Sequence, residues 1–386
     1  MTMNICIFSA LYAPHVGGVE VYTRNLAHAL AARGHNITVV TCALGNAPIH
    51  ESDSEGVTIV RIPCHPLLGG RYPVVFRQAA LGQVTSALKD TCFDGIVINT
   101  HFYPLSIVGA SFASQCNLNP LIIEHGSAHL TFGNSLADAG IQLVEHRMAK
   151  RLVAAAPNAR WYGVSQASSA WLKHFGIEAS GRLSNAIDTA AFRKQAAQFS
   201  FRHEFGMRDD ETLVCFVGRL EPEKGIRQLI QAASLLAAEH ASIHLAIAGS
   251  GSLERDLDEC STNTMHFLGQ LDRAHVAALL LDSDALCLPS RSEGFATILL
   301  EAAACDCMPI ATDVGGAREI IQDDTCGIIL PDGSPETIAQ ACRRVAQDRA
   351  AAHACGKAAR QRVEDEFSWD STATAVEREL ALQTSV

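Results

Sequence analysis

The chain has 386 residues, of which 48% are hydrophobic and 18% charged, and its formal net charge is −11 at pH 7. This length points to two domains, and this balance of apolar and charged residues excludes the disordered class. The acidic total argues against a nucleic-acid partner, and no run of about eighteen apolar residues offers a transmembrane helix.

The first residues lack a basic segment and lead straight into an apolar run, so a signal peptide is not expected. Thirteen cysteines, an odd number, are read as scattered inside strands and helices (Cys6, Cys92, Cys215, Cys287). That placement suits reduced thiols and a cytoplasmic protein. Cys305 and Cys307 lie close together, but no second pair completes a metal site, and they read as core or surface thiols.

Strand and helix patterns alternate along the chain, as stacked βαβ units require. The amino half reads as strand Asn4–Ser9, helix Val19–Arg33, strands Ile37–Thr41 and Val57–Ile62, helix Val75–Lys89 and strand Gly95–Asn99. Helix Pro104–Gln115, strand Leu121–Glu124, helix Leu136–Ala154, strand Arg160–Val164 and helix Ala167–Phe175 follow. The pattern restarts with Thr212–Val217 and continues through helix Gly225–Glu239, strand Ile243–Gly249, helix Ser252–Cys260 and strand Met265–Leu268. Helix Arg273–Ser283, strand Ala285–Pro289, helix Thr297–Cys305, strand Met308–Ala311, helix Ala317–Ile321 and strand Gly327–Leu330 complete it. A helical stretch from Pro335 to Leu382 breaks near Phe367-Ser-Trp369.

The most informative segment is Ser290-Arg-Ser-Glu-Gly-Phe-Ala-Thr-Ile-Leu-Leu-Glu301. It places Glu293 in a loop at the carboxyl end of a strand, where parallel α/β sheets bind ligands. Glu301 lies eight residues on, close to two helical turns, and is read as sharing the azimuth of Glu293. Two such carboxylates can grip hydroxyls at two points of an extended polar ligand. Solvated surface acids are the plain alternative, but Phe295, Ile298, Leu299 and Leu300 read as a buried helix, where an ionised Glu needs partners. The loop Gly218-Arg-Leu-Glu-Pro-Glu-Lys-Gly225 follows another apolar strand. Its Arg219 and Lys224 can neutralise a diphosphate, and its flanking glycines permit a tight backbone. Gly17 and Gly18 open the first helix, where backbone N–H groups favour an anion; the G-x-G-x-x-G fingerprint is absent.

Together with Gly17-Gly18-Val19-Glu20, Glu124-His125-Gly126, Asn185-Ala-Ile-Asp188 and Thr312-Asp-Val-Gly-Gly-Ala-Arg-Glu319, these motifs resemble the retaining glycosyltransferases of family 4. The resemblance implies the GT-B fold, an α/β architecture of two Rossmann-like domains facing each other across a cleft. Residues 1–185 would bind the acceptor and 186–366 the nucleotide sugar, with 367–386 a helix crossing back to the first domain. It implies catalytic roles for His125, Arg219, Lys224 and Glu293. It implies donor contacts from Gly17, Gly18, Gly218, Gly249, Leu271, Glu293, Gly294, Phe295, Ala296, Thr297 and Glu301. Ala296 stands where the family often has glycine. His15, His101 and His129 are candidate acceptor contacts, and Asn185 and Asp188 would organise the cleft.

The activity implied is hexosyl transfer, with retention, from a UDP- or GDP-linked sugar to a sugar or lipid-linked glycan in cell-envelope biosynthesis. No Asp-x-Asp motif is placed for it, so protein cations are expected to replace a metal. Pro66–Arg77, which joins apolar and basic residues, and the aromatic segment His101–Leu105 raise a peripheral membrane contact on the inner face of the plasma membrane; packing on the sheet is the other reading. A non-catalytic nucleotide-sugar-binding subunit and an epimerase on the same fold stand as alternatives.

Overall fold

The computed structural model describes residues 2–15, 17–45, 47–129, 135–239, 242–258 and 262–382. The chain divides into two compact units, Met1–Asn185 with Trp369–Val386, and Ala186–Ser368.

The first unit contains β1 (Asn4–Phe8), β2 (Asn36–Ala43), β3 (His50–Ser52), β4 (Thr58–Pro63), β5 (His65–Leu67), β6 (Tyr72–Val74), β7 (Gly95–Asn99), β8 (Leu121–Glu124), β9 (Arg160–Gly163) and β10 (Gly181–Arg182). Its main sheet has the order β10-β9-β8-β7-β1-β2-β4-β3, parallel except for the β3 edge. Strands such as Ile5–Phe8 and Ile96–Ile98 are buried along their length, as a parallel sheet covered on both faces demands. The helix Trp369–Ala381 belongs to this unit and packs on the helix Gly18–Ala32. Arg33 Nε bonds Glu377 at 2.7 Å, and Tyr162 donates its hydroxyl to Glu379 at 2.6 Å.

The second unit contains β11 (Thr212–Val217), β12 (Ile243–Ala248), β13 (Met265–Phe267), β14 (Ala285–Leu288), β15 (Met308–Thr312) and β16 (Ile328–Leu330). All pairings are parallel and the order is β13-β12-β11-β14-β15-β16. Numbered from β11, this is 3-2-1-4-5-6, the doubly wound arrangement whose chain reverses direction between strands 1 and 4. In the first unit the corresponding reversal lies between β1 and β7. The crevice beyond the carboxyl ends at such a reversal is where these sheets bind ligands.

Several elements differ from the sequence reading. The Pro66–Arg77 segment forms an antiparallel hairpin, β5 with β6, outside the main sheet, and the helix after it is shortened to Arg77–Ala87. Leu67, Leu68 and Phe76 around this hairpin are exposed. The carboxyl-terminal helical stretch has a second break at Asp348, because that side chain turns to cap the next helix, accepting from Ala351 N at 2.8 Å. The helix expected over Ser252–Cys260 is seen as Glu254–Asp258, and Cys260 lies outside the described residues. The shared azimuth of Glu293 and Glu301 does not hold. The helix begins only at Thr297, so the residues before it follow loop geometry.

Glycines lace the loops of the second unit together. Gly218 N bonds Ala248 O at 3.0 Å, Leu220 N bonds Ser250 O at 2.9 Å and Gly249 N bonds Gly269 O at 2.7 Å. Gly249 has φ +149°, and a Cβ there would lie 1.8 Å from the carbonyl oxygen of Gly218. Two backbones touch at that point, and only glycine permits it. Gly249→Ala is therefore expected to destabilise the chain by roughly 2–4 kcal/mol through overpacking and strain. Urea unfolding measures it; a loss below about 0.5 kcal/mol would refute the close approach.

Candidate functional site

In the second unit the functional side chains cluster at the reversal between β11 and β14. The loop after β11 runs into a short 3-10 turn, Pro222–Lys224, and closes at Gly225 in the left-handed region, φ +75°. A Cβ on Gly225 would lie 2.4 Å from Pro289 O, so this glycine lets the loop lie against the end of β14. Arg291 N then bonds Glu223 O at 2.8 Å. The result is a direct meeting of the two motifs. Lys224 Nζ lies 2.6 Å from Glu293 Oε1, with both side chains 13% exposed. Ser290 Oγ donates to the same carboxylate oxygen at 2.8 Å.

Sequence reading gave Lys224 and Glu293 separate tasks, phosphate and sugar; here they are each other's partners. Gly315, φ +57°, sits against the carbonyls of Glu293 and Gly294, and Gly316 against the Phe295 ring. Phe295 and Ala296 are buried, and Thr312 donates to Ser290 O. The loops after β11, β14 and β15 thereby hold one another. Arg219 is the exposed counterpart. Its side chain is 64% exposed and lies 3.5 Å from Glu223, leaving its guanidinium open to an incoming anion.

Glu301, on the helix Thr297–Ala304, faces Arg273 at 3.7 Å rather than Glu293. Burial pushes its carboxyl up to about 7, and Arg273 opposes that only in part. Leu271 lies beyond β13, two residues past the left-handed Gly269 that bonds Gly249. Asp188 caps the helix Thr189–Lys194, accepting from Ala191 N at 2.8 Å.

In the first unit the key group is Glu124, at the end of β8 and buried. Its carboxylate accepts from the backbone N–H of Gly126 at 2.7 Å and of His125 at 3.0 Å, and it pairs with His101 Nδ1. Burial alone would raise this carboxyl; the His101 cation and the Gly126 N–H outweigh it and hold the carboxyl below its ordinary value. His101 is pushed the other way. Burial lowers its pKa, but Glu124 and Glu145 together lift it to about 10. Its Nε2 faces Glu145 at 3.3 Å and its side chain is 1% exposed. The expected acceptor contact from His101 is thus corrected: the ring is buried between two carboxylates.

His125 is the opposite case, since burial lowers it to about 4 and keeps it neutral. A chain of hydrogen bonds fixes its tautomer. Thr23 Oγ1 donates to Val19 O at 2.7 Å, so the Asn99 amide must donate to Thr23 at 2.9 Å. That leaves Asn99 Oδ1 to accept from His125 Nε2 at 2.9 Å, with Nδ1 unprotonated. The Tyr22 ring meets the imidazole edge-on at 4.8 Å. Asn99, Glu145, Ser290 and Arg273 were not singled out from sequence. Asn99, Glu145 and Arg273 are lone polar residues whose partners are distant in the chain, whereas Ser290 serves Glu293 three positions on.

At the first helix, Glu20 folds back so that a Cβ on Gly17 would lie 2.5 Å from its Oε2, and His15 Nδ1 bonds its Oε1 at 2.7 Å. The protein's own carboxylate therefore flanks Gly17, where an external anion was expected, while Gly18 has open space beside it. No helix among the described residues is long and apolar enough to cross a membrane.

Two sheets, parallel but for the β3 edge and each with polar side chains gathered at its carboxyl edge, define a two-unit α/β protein of the doubly wound class. Known proteins make this specific. Residues 16–191 match the family described as Glycosyltransferase Family 4, and residues 198–362 match Glycosyl transferases group 1. The glycogen synthase of Mycobacterium tuberculosis is 27% identical over 394 aligned positions, covering 97% of this chain and 93% of that one. Among solved structures, sucrose-phosphate synthase from Thermosynechococcus elongatus superposes with a TM-score of 0.77 at 20% identity, covering 99% of both chains. Anabaena HepE, solved in complex with UDP, gives a TM-score of 0.73 at 20% identity, covering 98% of this chain and all of that one. The chain belongs to the group 1 glycosyltransferases and has the GT-B fold.

Two outcomes follow from the buried charges. His101→Ala would leave Glu124 and Glu145 facing each other without a cation, and a cost of roughly 3–5 kcal/mol is expected in urea unfolding; a loss under 1 kcal/mol would contradict the pairing. Glu301 has a folded pKa of about 7 against an ordinary value of 4.5. Between those pH values the folded chain keeps a proton that the unfolded chain has lost. Stability should therefore fall as pH rises from about 4.5 to 7 and level off above, by at most about 3 kcal/mol. Melting curves of wild type and Glu301→Gln at pH 5 and 8 isolate this contribution, which the variant should lack.

Proposed function

We propose that the protein transfers a hexosyl unit, with retention of anomeric configuration, from a UDP- or GDP-linked sugar to a sugar or lipid-linked glycan. The observation that carries this reading is the placement of Arg219 and Lys224 on the loop after β11 and Glu293 on the loop after β14, at the reversal of the second sheet. A nucleoside diphosphate brings negative charge where those cations sit and hydroxyls where the carboxylates sit. The complex of HepE with UDP supports this ligand class.

In this reading Arg219 clasps a phosphate from solvent, and Lys224 turns from Glu293 towards the β-phosphate as charge develops on it. Glu293, relieved of part of that pair, accepts from sugar hydroxyls. Glu301 accepts from the ribose when ionised. His125 offers Nδ1 to a hexose hydroxyl. Protein cations serve the leaving group in place of a divalent metal. The exposed Leu67, Leu68 and Phe76 beside Arg71 support an acceptor presented at a membrane surface on the cytoplasmic side, since such a patch can enter the interface while a basic residue meets anionic headgroups.

Thermal shift against UDP, GDP, ADP and their sugar conjugates, with and without magnesium, tests the reading. One base should give a saturable rise in melting temperature. Arg219→Ala should leave the free protein's melting temperature unchanged, because the side chain is exposed, and weaken that nucleotide about 10- to 100-fold through loss of a charged hydrogen bond. Lys224→Ala should lower both, because Glu293 loses its partner. No stabilisation by any nucleotide, or full affinity in Arg219→Ala, would sink the proposal.

A further inference from the structure

Outside this machinery, the first unit gathers three histidines from three separate elements. His129 follows β8, His146 lies on the helix Ser135–Ala155 and His174 on the 3-10 turn Lys173–Phe175. Their ligating nitrogens lie within 4.8 Å of one another. His174 Nε2 is 2.9 Å from His129 Nε2 and 3.2 Å from His146 Nε2. Three imidazole nitrogens around a tetrahedral zinc ion, each about 2.0–2.1 Å from the metal, stand about 3.3 Å apart. The two pairs that share His174 are close to that spacing already.

Hydrogen bookkeeping favours a cation over a purely organic cluster. His129 Nδ1 lies 2.5 Å from Glu145 Oε2, which commits its proton there and leaves Nε2 as a lone pair. His174 Nε2 has room for one hydrogen and faces two nitrogens. If it donates to His129, it meets His146 with no second hydrogen to share. One metal ion accepts all three lone pairs. The Glu145–His129 contact is also the carboxylate–histidine support that ligating imidazoles ordinarily have. Around it, Trp171 stacks on His174 at 4.8 Å and Phe175 packs on His146 at 4.9 Å, while His174 remains exposed as an entry side.

We propose that His129, His146 and His174 bind one divalent transition-metal ion, zinc or a close relative, with a fourth position open to solvent. An all-imidazole set suits zinc, copper and nickel rather than magnesium or calcium. The ion's place in the fold gives it a task. From His129 the contacts run through Glu145 to His101 and from there to Glu124, whose carboxylate holds the backbone N–H groups of His125 and Gly126. Fixing His129 therefore steadies Glu145 and, through it, the loop that carries His125. The metal positions this loop and takes no part in the transfer itself.

The test uses the full chain without an affinity tag, stripped with EDTA and titrated with Zn2+ against a chromophoric chelator. One equivalent should bind. His146→Ala and His174→Ala should each weaken it more than 10-fold, and Glu145→Gln about 10- to 100-fold. His174 is exposed on a short turn, so its variant keeps the argument testable if His146→Ala misfolds. Co2+ should give the d–d bands of a nitrogen and oxygen site. Zn2+ should slow amide exchange over residues 125–129. Thiolate charge-transfer bands would assign the metal to cysteines, and unchanged affinity in His174→Ala or no bound equivalent would overturn the site. Binding without slower exchange would overturn the positioning role.

Discussion

A carboxylate taken out of water must find cations or N–H groups to replace the water it gives up, and each unit is arranged around one that does so. In the second unit it is Glu293, served by Lys224 and Ser290. In the first it is Glu124, served by His101 and by two backbone N–H groups of the loop that follows. Glu124 ends a parallel strand, and Glu293 stands in the loop that follows one. The loops are consequently shaped by the charge they enclose: Gly225 must turn left-handed to bring Lys224 to Glu293, and Gly126 must turn its N–H inward to Glu124. Glycine and acid at these strand ends are two halves of one requirement.

The Lys224–Glu293 pair also sets a condition on any anionic ligand. With both partners largely out of water, breaking the contact without a replacement would leave two poorly solvated charges. A phosphate can replace the carboxylate beside Lys224 only if the carboxylate gains hydroxyl donors at the same time. A nucleotide sugar carries both groups on one molecule, whereas free phosphate or free sugar supplies only half of the exchange. In the function proposed here, the pair would favour the conjugate over its fragments on electrostatic grounds, and the exposed Arg219 would make a first contact without disturbing either.

The strand–helix succession was readable in the sequence because buried parallel strands leave apolar runs such as Ile5–Phe8 and Leu213–Val217, and glycine closes the turns between them. The loops bearing Arg219, Lys224, Glu293 and His125 were readable for the same reason, as polar residues stranded at the ends of those runs. Pairings were not. Lys224 and Glu293 stand 69 positions apart, and nothing local says that one neutralises the other. The azimuth drawn from Glu293 to Glu301 failed because it assumed helix where the chain was still loop. The β5–β6 hairpin escaped notice because Pro66 and Pro73 argue against strand, yet in a two-stranded edge their missing N–H groups cost little. His129, His146 and His174 follow no ligand spacing, since each comes from a different element; the fold alone brings them together.

His101 and His125 show how far neighbouring imidazoles can be driven apart by such surroundings. His101, between two carboxylates, is held as a cation with a pKa of about 10. His125, half-buried beside an amide and an aromatic ring, stays neutral down to about 4. A base that weak is poorly matched to removing a proton from an alcohol at neutral pH. In the transfer proposed here, the acceptor hydroxyl's proton must then go elsewhere, and the departing β-phosphate oxygen is a group that gains negative charge as the sugar–oxygen bond breaks. A neutral His125 accepting a hydroxyl hydrogen bond orients the sugar without competing for that proton. This division, with orientation left to the protein and proton acceptance to the leaving group, fits same-side attack better than a scheme that needs a strong protein base.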